Sequence, residues 1–114
     1  MNAMTDPYHQ QPGMLEVEDE RTMLVLMHHV VLLDDDDHSY EYVIEMLMEL
    51  FGHSEARAYE MACEVDKRKR VIVETTYLER AEMKKHQIQS YGADWRIPHC
   101  KGSMSATIEP VELV

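Results

Sequence analysis

Between Thr22 and Leu33 the chain is apolar at nearly every position and ends in the run Val30-Val31-Leu32-Leu33. Such a run, β-branched and leucine-rich, predicts a strand covered on both faces for part of its length, or partly covered by the N-terminal tail. At Tyr40 the period changes. Tyr40, Val43, Ile44, Leu47, Leu50 and Phe51 recur with the spacing of one helical face. Ser39 suits the N-cap of that helix, Glu41 its positive start and Gly52 its C-terminal cap. A second helix follows at once, capped by Ser54, with Ala58, Met61, Ala62 and Val65 as its stripe and its end at Asp66. The basic residues Lys67 to Arg70 predict a turn, and Val71 to Val73 a short strand.

Thr76 and Glu79 have the Thr-x-x-Glu spacing of a capping box, which predicts a third helix to about Ser90 with Leu78, Ala81 and Ile88 inward. Trp95 to Gly102 reads as loop. Met104, Ala106 and Ile108 then alternate with Ser105 and Thr107, a half-buried strand closed by Pro110. The predicted order is β-α-α-β-α-β, an α/β (α+β) domain in which three helices cover one face of a three-stranded antiparallel sheet.

Length allows one such domain: the chain has 114 residues, and Met1 to about Arg21 is too polar, with Pro7, Pro12 and the acidic Glu16 to Glu20, to join a core. Residues 1–21 are therefore expected to be a flexible acidic tail and residues 22–114 the folded domain. The formal net charge of -11 leaves no basic surface for nucleic acid or an anionic membrane. Cys63 and Cys100 have no paired spacing, which suits reduced thiols, and no secretory signal is evident, so a cytoplasmic monomer is expected.

Four adjacent carboxylates, Asp34 to Asp37, follow the first strand and precede His38. Gathering them is costly, and a cationic partner would relieve the repulsion. A calcium loop fits poorly, because Ser39 replaces the glycine such a loop needs and the next residues belong to a helix. Zinc fits no better, since His28 and His29 are adjacent on a strand and face opposite ways. Cys100 directly follows His99, but no nucleophile elbow or phosphate loop is present. No catalytic residue, metal or cofactor is expected; a cation-dependent enzyme at the acidic cluster is the remote alternative.

The segment VVLLDDDDHSYEYVIEML resembles the opening of the ClpS family, adaptors of the bacterial Clp protease. TTYLERAEMKK is similar to that family's third helix and SATIEP to its last strand, so the likeness spans about residues 22–110. It implies the ClpS fold, like the C-terminal domain of the ribosomal stalk protein. It also implies an adaptor that holds the N-terminal residue of a substrate and delivers it to the N-terminal domain of a Clp AAA+ chaperone. Carried over by position, Asp34, Asp35, Asp36, His38 and Asp66 surround the substrate α-amino group. Tyr40, Val43, Val65 and Met104 form the apolar pocket, and Glu79, Glu82 and Lys84 face the chaperone, with Glu79 and Lys84 expected to be exposed.

The chain departs from the family pattern where the substrate would touch it. Asp34 stands for Asn, Asp66 for His, His38 for Thr and Tyr40 for Met, and Lys69 replaces a glycine. All the acidic replacements remain acceptors for an ammonium group. A divergent adaptor with an altered pocket is expected, and the alternative is a module that has lost N-degron binding and modulates the chaperone or binds another protein.

Overall fold

The computed structural model describes residues 27–112. The elements in order are β1 (Met27–Leu33), α1 (Tyr40–Phe51), α2 (Glu55–Arg68), β2 (Arg70–Tyr77), α3 (Leu78–Gln89) and β3 (Ser105–Pro110). The expected tail and the expected start of the first strand lie outside the described residues. β1 is the central strand, antiparallel to both β2 and β3.

One face of β1 meets the helices. Val30 and Leu32 pack in a single core with Met46 and Leu47 of α1, Ala62 and Val65 of α2, Ile88 of α3 and Met104. The pairing of β1 with β2 shifts register between Val30 and Val31, which lie opposite Glu74 and Ile72. Val73 is thus the additional residue of a β-bulge, and its side chain, not that of Ile72, enters the core.

On the opposite face Val31 is fully buried, flanked by Ile72 and Thr107. Arg70 lies opposite Leu33 and Glu109 opposite His29, yet the two side chains meet through paired hydrogen bonds of 2.7 and 2.8 Å. The pair thus links the two outer strands, β2 and β3. Val31 is buried on the face away from the helices, as two-sided coverage of this strand requires.

The helix stops follow local chemistry. Gly52 has φ 72° and donates its N–H to Met48 O at 3.0 Å, closing α1 in the left-handed conformation glycine tolerates. α2 runs two residues past Asp66, because Lys67 and Arg68 are good helix formers and sit well at the negative end of the helix. Lys69 alone makes the turn, with φ 71°, and Arg70 already belongs to β2.

β2 is longer than the sequence predicts and passes directly into α3. Thr76 is paired with His28 within the strand, so it cannot cap the helix; Tyr77 takes the N-cap position with no side-chain cap bond. The start moves by one residue, and Leu78 is exposed instead of inward. Ala81 and Ile88 face the core as expected.

Candidate functional site

The end of β1 and the end of α2 are joined. Asp34 donates its N–H to Lys69 O at 3.1 Å, so the acidic turn begins where the second helix hands over to β2. Within the turn, the Asp36 and Asp37 N–H groups bond back to Asp34 Oδ1 and Asp35 Oδ1, at 3.4 and 3.1 Å. Such aspartate turns accept a left-handed residue, here Asp36 with φ 65°. The acidic run is thus shaped by its own carboxylates.

Cationic relief for Asp34 comes from within the chain. Lys69 Nζ lies 3.4 Å from Asp34 Oδ2. The position where the family pattern has glycine therefore supplies a charge beside the position where it has Asn. The lysine is largely exposed, which keeps the pair weak, while the Asp34 side chain is mostly covered.

Asp35 is oriented by a buried histidine. His38 Nδ1 is 2.8 Å from Asp35 Oδ1, and Nε2 is 2.7 Å from Gly102 O. A carbonyl only accepts, so Nε2 carries a proton toward it. The ring also lies against Tyr42, with centroids 4.5 Å apart. His38 is thus held between the acidic turn and the loop before β3, and it positions Asp35.

Tyr40 and Asp66 meet across the two helices. The Tyr40 hydroxyl donates to Asp66 Oδ2 at 2.7 Å. This bond, burial and the charge of Asp66 together push the phenol up to about 12. The Tyr59 ring stands 6.2 Å from Tyr40; with Cys63 and Asp66 it follows the i, i+4, i+7 spacing of one face of α2. Val43, Val65 and Met104, expected as pocket wall, are all buried in the common core.

The chaperone-facing set divides. Glu79 and Glu82 are exposed on α3, but Lys84, expected to be exposed as well, is only 8% exposed. Its Nζ donates to Leu50 O and lies 5.3 Å from the centre of the Phe51 ring. A lysine at that place satisfies a free carbonyl at the end of α1 and complements the helix dipole.

Asp94 was not among the expected site residues, and it organises the site from outside. It is almost completely buried, and its Oδ2 accepts both the backbone N–H and the hydroxyl of Ser39, at 2.8 and 2.7 Å. Oδ1 accepts from the Arg96 N–H and guanidinium, at 3.1 and 3.2 Å, and Arg96 reaches on to Glu45 at 2.5 Å. Burial alone would push the carboxyl up, but these four donors outweigh it and hold the pKa at about 2. Cys100 Sγ accepts the Asp94 N–H at 3.3 Å and lies 3.4 Å from His38 Nε2. No local sequence signal marks these partners, which come from a loop.

Among the described residues, no group of three or more His, Cys, Asp or Glu side chains is placed to hold a metal ion. No described helix is long and apolar enough to cross a membrane. The arrangement offers carboxylates beside an apolar core and a phenol hydrogen-bonded to one of them, a setting for holding a cationic group.

Residues 25–97 match the family model of the ATP-dependent Clp protease adaptor protein ClpS. No curated protein matches the chain. Among solved structures, the fold is similar to that of Agrobacterium tumefaciens ClpS2 bound to L-phenylalaninamide, with a TM-score of 0.65 and 22% identity, covering 75% of this chain and 98% of that one. The antiparallel sheet with its three helices, the acidic end of β1 and the family match lead to one conclusion: the chain belongs to the ClpS family of adaptors of the ATP-dependent Clp protease.

Proposed function

We propose that this adaptor docks on the N-terminal domain of a Clp AAA+ chaperone and selects substrates by their free amino-terminal residue, through an altered pocket. The observation that carries the reading is the meeting of the β1 end with the α2 end, joined at Asp34 and Lys69, with Val43, Val65 and Met104 in the adjoining core. An α-ammonium needs several acceptors with an apolar surface beside them for the first side chain. Asp34, Asp35 and Asp66 are such acceptors, and Asp36 and His38 shape the turn that presents them. The ligand of the Agrobacterium protein has matching chemistry: L-phenylalaninamide carries a free amino group, an aromatic side chain and an amide where a peptide would continue. Glu79 and Glu82, exposed on α3, are the proposed chaperone contacts, with Lys84 fixing the helix beneath them. The role is binding without catalysis, in the cytoplasm, as a monomer.

A calorimetric titration with short peptides that differ only in their first residue tests this. Peptides with a free amino group are expected to bind, with affinity falling as salt rises, and N-acetylated ones not to bind. Equal binding of both forms, or no binding of either at millimolar concentration, removes the peptide site.

The internal pairs Tyr40–Asp66 and Lys69–Asp34 favour a second reading, in which the pocket is closed and the module acts on the chaperone alone. Chaperone binding without peptide binding selects that reading.

A further inference from the structure

We propose that Tyr40 is an internal competitor for the substrate: its hydroxyl occupies the Asp66 carboxylate, and an incoming ammonium group has to displace it. The inference rests on the peptide-binding reading above and adds the residue that sets its selectivity.

Two observations carry it. Tyr40, first residue of α1, reaches Asp66 near the end of α2, so the 2.7 Å bond joins the two helix ends beside the acidic turn. Independently, Val43, Val65 and Met104 are 4%, 2% and 1% exposed. The chain's own side chains already cover the apolar wall that a first side chain would touch. One oxygen of Asp66 and the apolar wall are thus both engaged by the chain's own groups.

The chemistry then states what can open it. A phenol donates one neutral hydrogen bond to Asp66, whereas an ammonium donates up to three and carries charge. A free amino terminus wins this exchange, and an acetylated terminus, an amide donor without charge, does not. Once displaced, the Tyr40 ring remains near Tyr59, so the entrance is lined by two aromatic faces, which favour a cation over a neutral group. The expected ligand class is a peptide with a free, protonated amino terminus.

Fluorescence anisotropy with a labelled free-amino peptide tests this on the full chain, its Tyr40→Phe and Asp66→Asn variants, and the double variant. Tyr40→Phe removes the competing hydroxyl and keeps the ring, and is expected to tighten binding about fivefold. In the Asp66→Asn background, which weakens binding, the same change is expected to have no such effect. Binding to Tyr40→Phe but not to the unaltered chain also supports the competition. Binding by the unaltered chain that Tyr40→Phe leaves unchanged or weakens overturns the competition while the adaptor site stands. Binding by none of the four overturns the adaptor site and the competition with it. Circular dichroism on each variant establishes that the fold is kept.

Discussion

One carboxylate oxygen of Asp94 receives both hydrogen bonds that Ser39 can donate, from its backbone at 2.8 Å and its hydroxyl at 2.7 Å. Ser39 Oγ in turn accepts the Tyr42 N–H at 3.2 Å, so the cap of α1 is itself capped by the loop before β3. Through this chain of bonds a loop distant in sequence fixes the direction in which the acidic turn enters α1.

Asp94→Ala is expected to lower stability by about 2 kcal/mol, because it leaves the donors of Ser39 and Arg96 without their acceptor in a buried place. Urea denaturation measures it. A loss within error would mean that water replaces the carboxylate without cost.

The same residue predicts acid sensitivity. Its folded pKa, about 2, lies below the ordinary value near 4. The stabilisation is therefore complete above pH ~4 and is lost as pH falls toward about 2. Melting midpoints of the unaltered chain and of Asp94→Asn are expected to converge across that window. Parallel curves would remove Asp94 as the titrating group.

Tyr40 is expected to ionise at about 12, well above a free phenol. Because the folded value is raised, this contribution is present below pH ~10 and disappears as pH rises through about 12. Tyr91 is also pushed up to about 12, by burial first and then by its hydrogen bond to Glu49. The ultraviolet titration therefore has to be read as a difference between the unaltered chain and Tyr40→Phe. Asp66→Asn is expected to bring the Tyr40 transition back toward 10; an unchanged transition would show that the two side chains do not meet in solution.

On α3, exposed and buried charges are expected to behave differently. Glu79→Lys with Glu82→Lys should weaken binding to the chaperone's N-terminal domain and leave the melting midpoint unchanged. Lys84→Ala should cost about 2 kcal/mol of stability, through its bond to the Leu50 carbonyl. Calorimetric titration and denaturation of the same proteins separate the two effects. A folded glutamate variant that binds normally would move the docking surface off this helix.

Much of the architecture was legible in the chain itself, because amphipathic period, caps and turn residues are local properties. The stripe from Tyr40 to Phe51, the caps Ser39, Ser54 and Gly52, and the alternation from Met104 to Ile108 each place an element without reference to any other. The family could be read from the same segments. Local rules failed where two of them competed: Thr76 satisfies a capping box, but the ladder to His28 holds it in a strand. The basic run after Asp66 resembles a turn, but its first two residues suit the end of a helix better.

Only the tertiary structure decided which polar groups face one another. Lys84 looks like a surface charge in sequence, and it is buried because a carbonyl 34 positions away has no other donor in its helix. Tyr40 and Asp66, and likewise Asp34 and Lys69, are separate departures from the family pattern when read along the chain. In space they are two pairs. Composition fixes how much charge a chain carries, but a hydrogen bond depends on distances of about 3 Å, and those arise only when helices and strands from remote parts of the chain pack together.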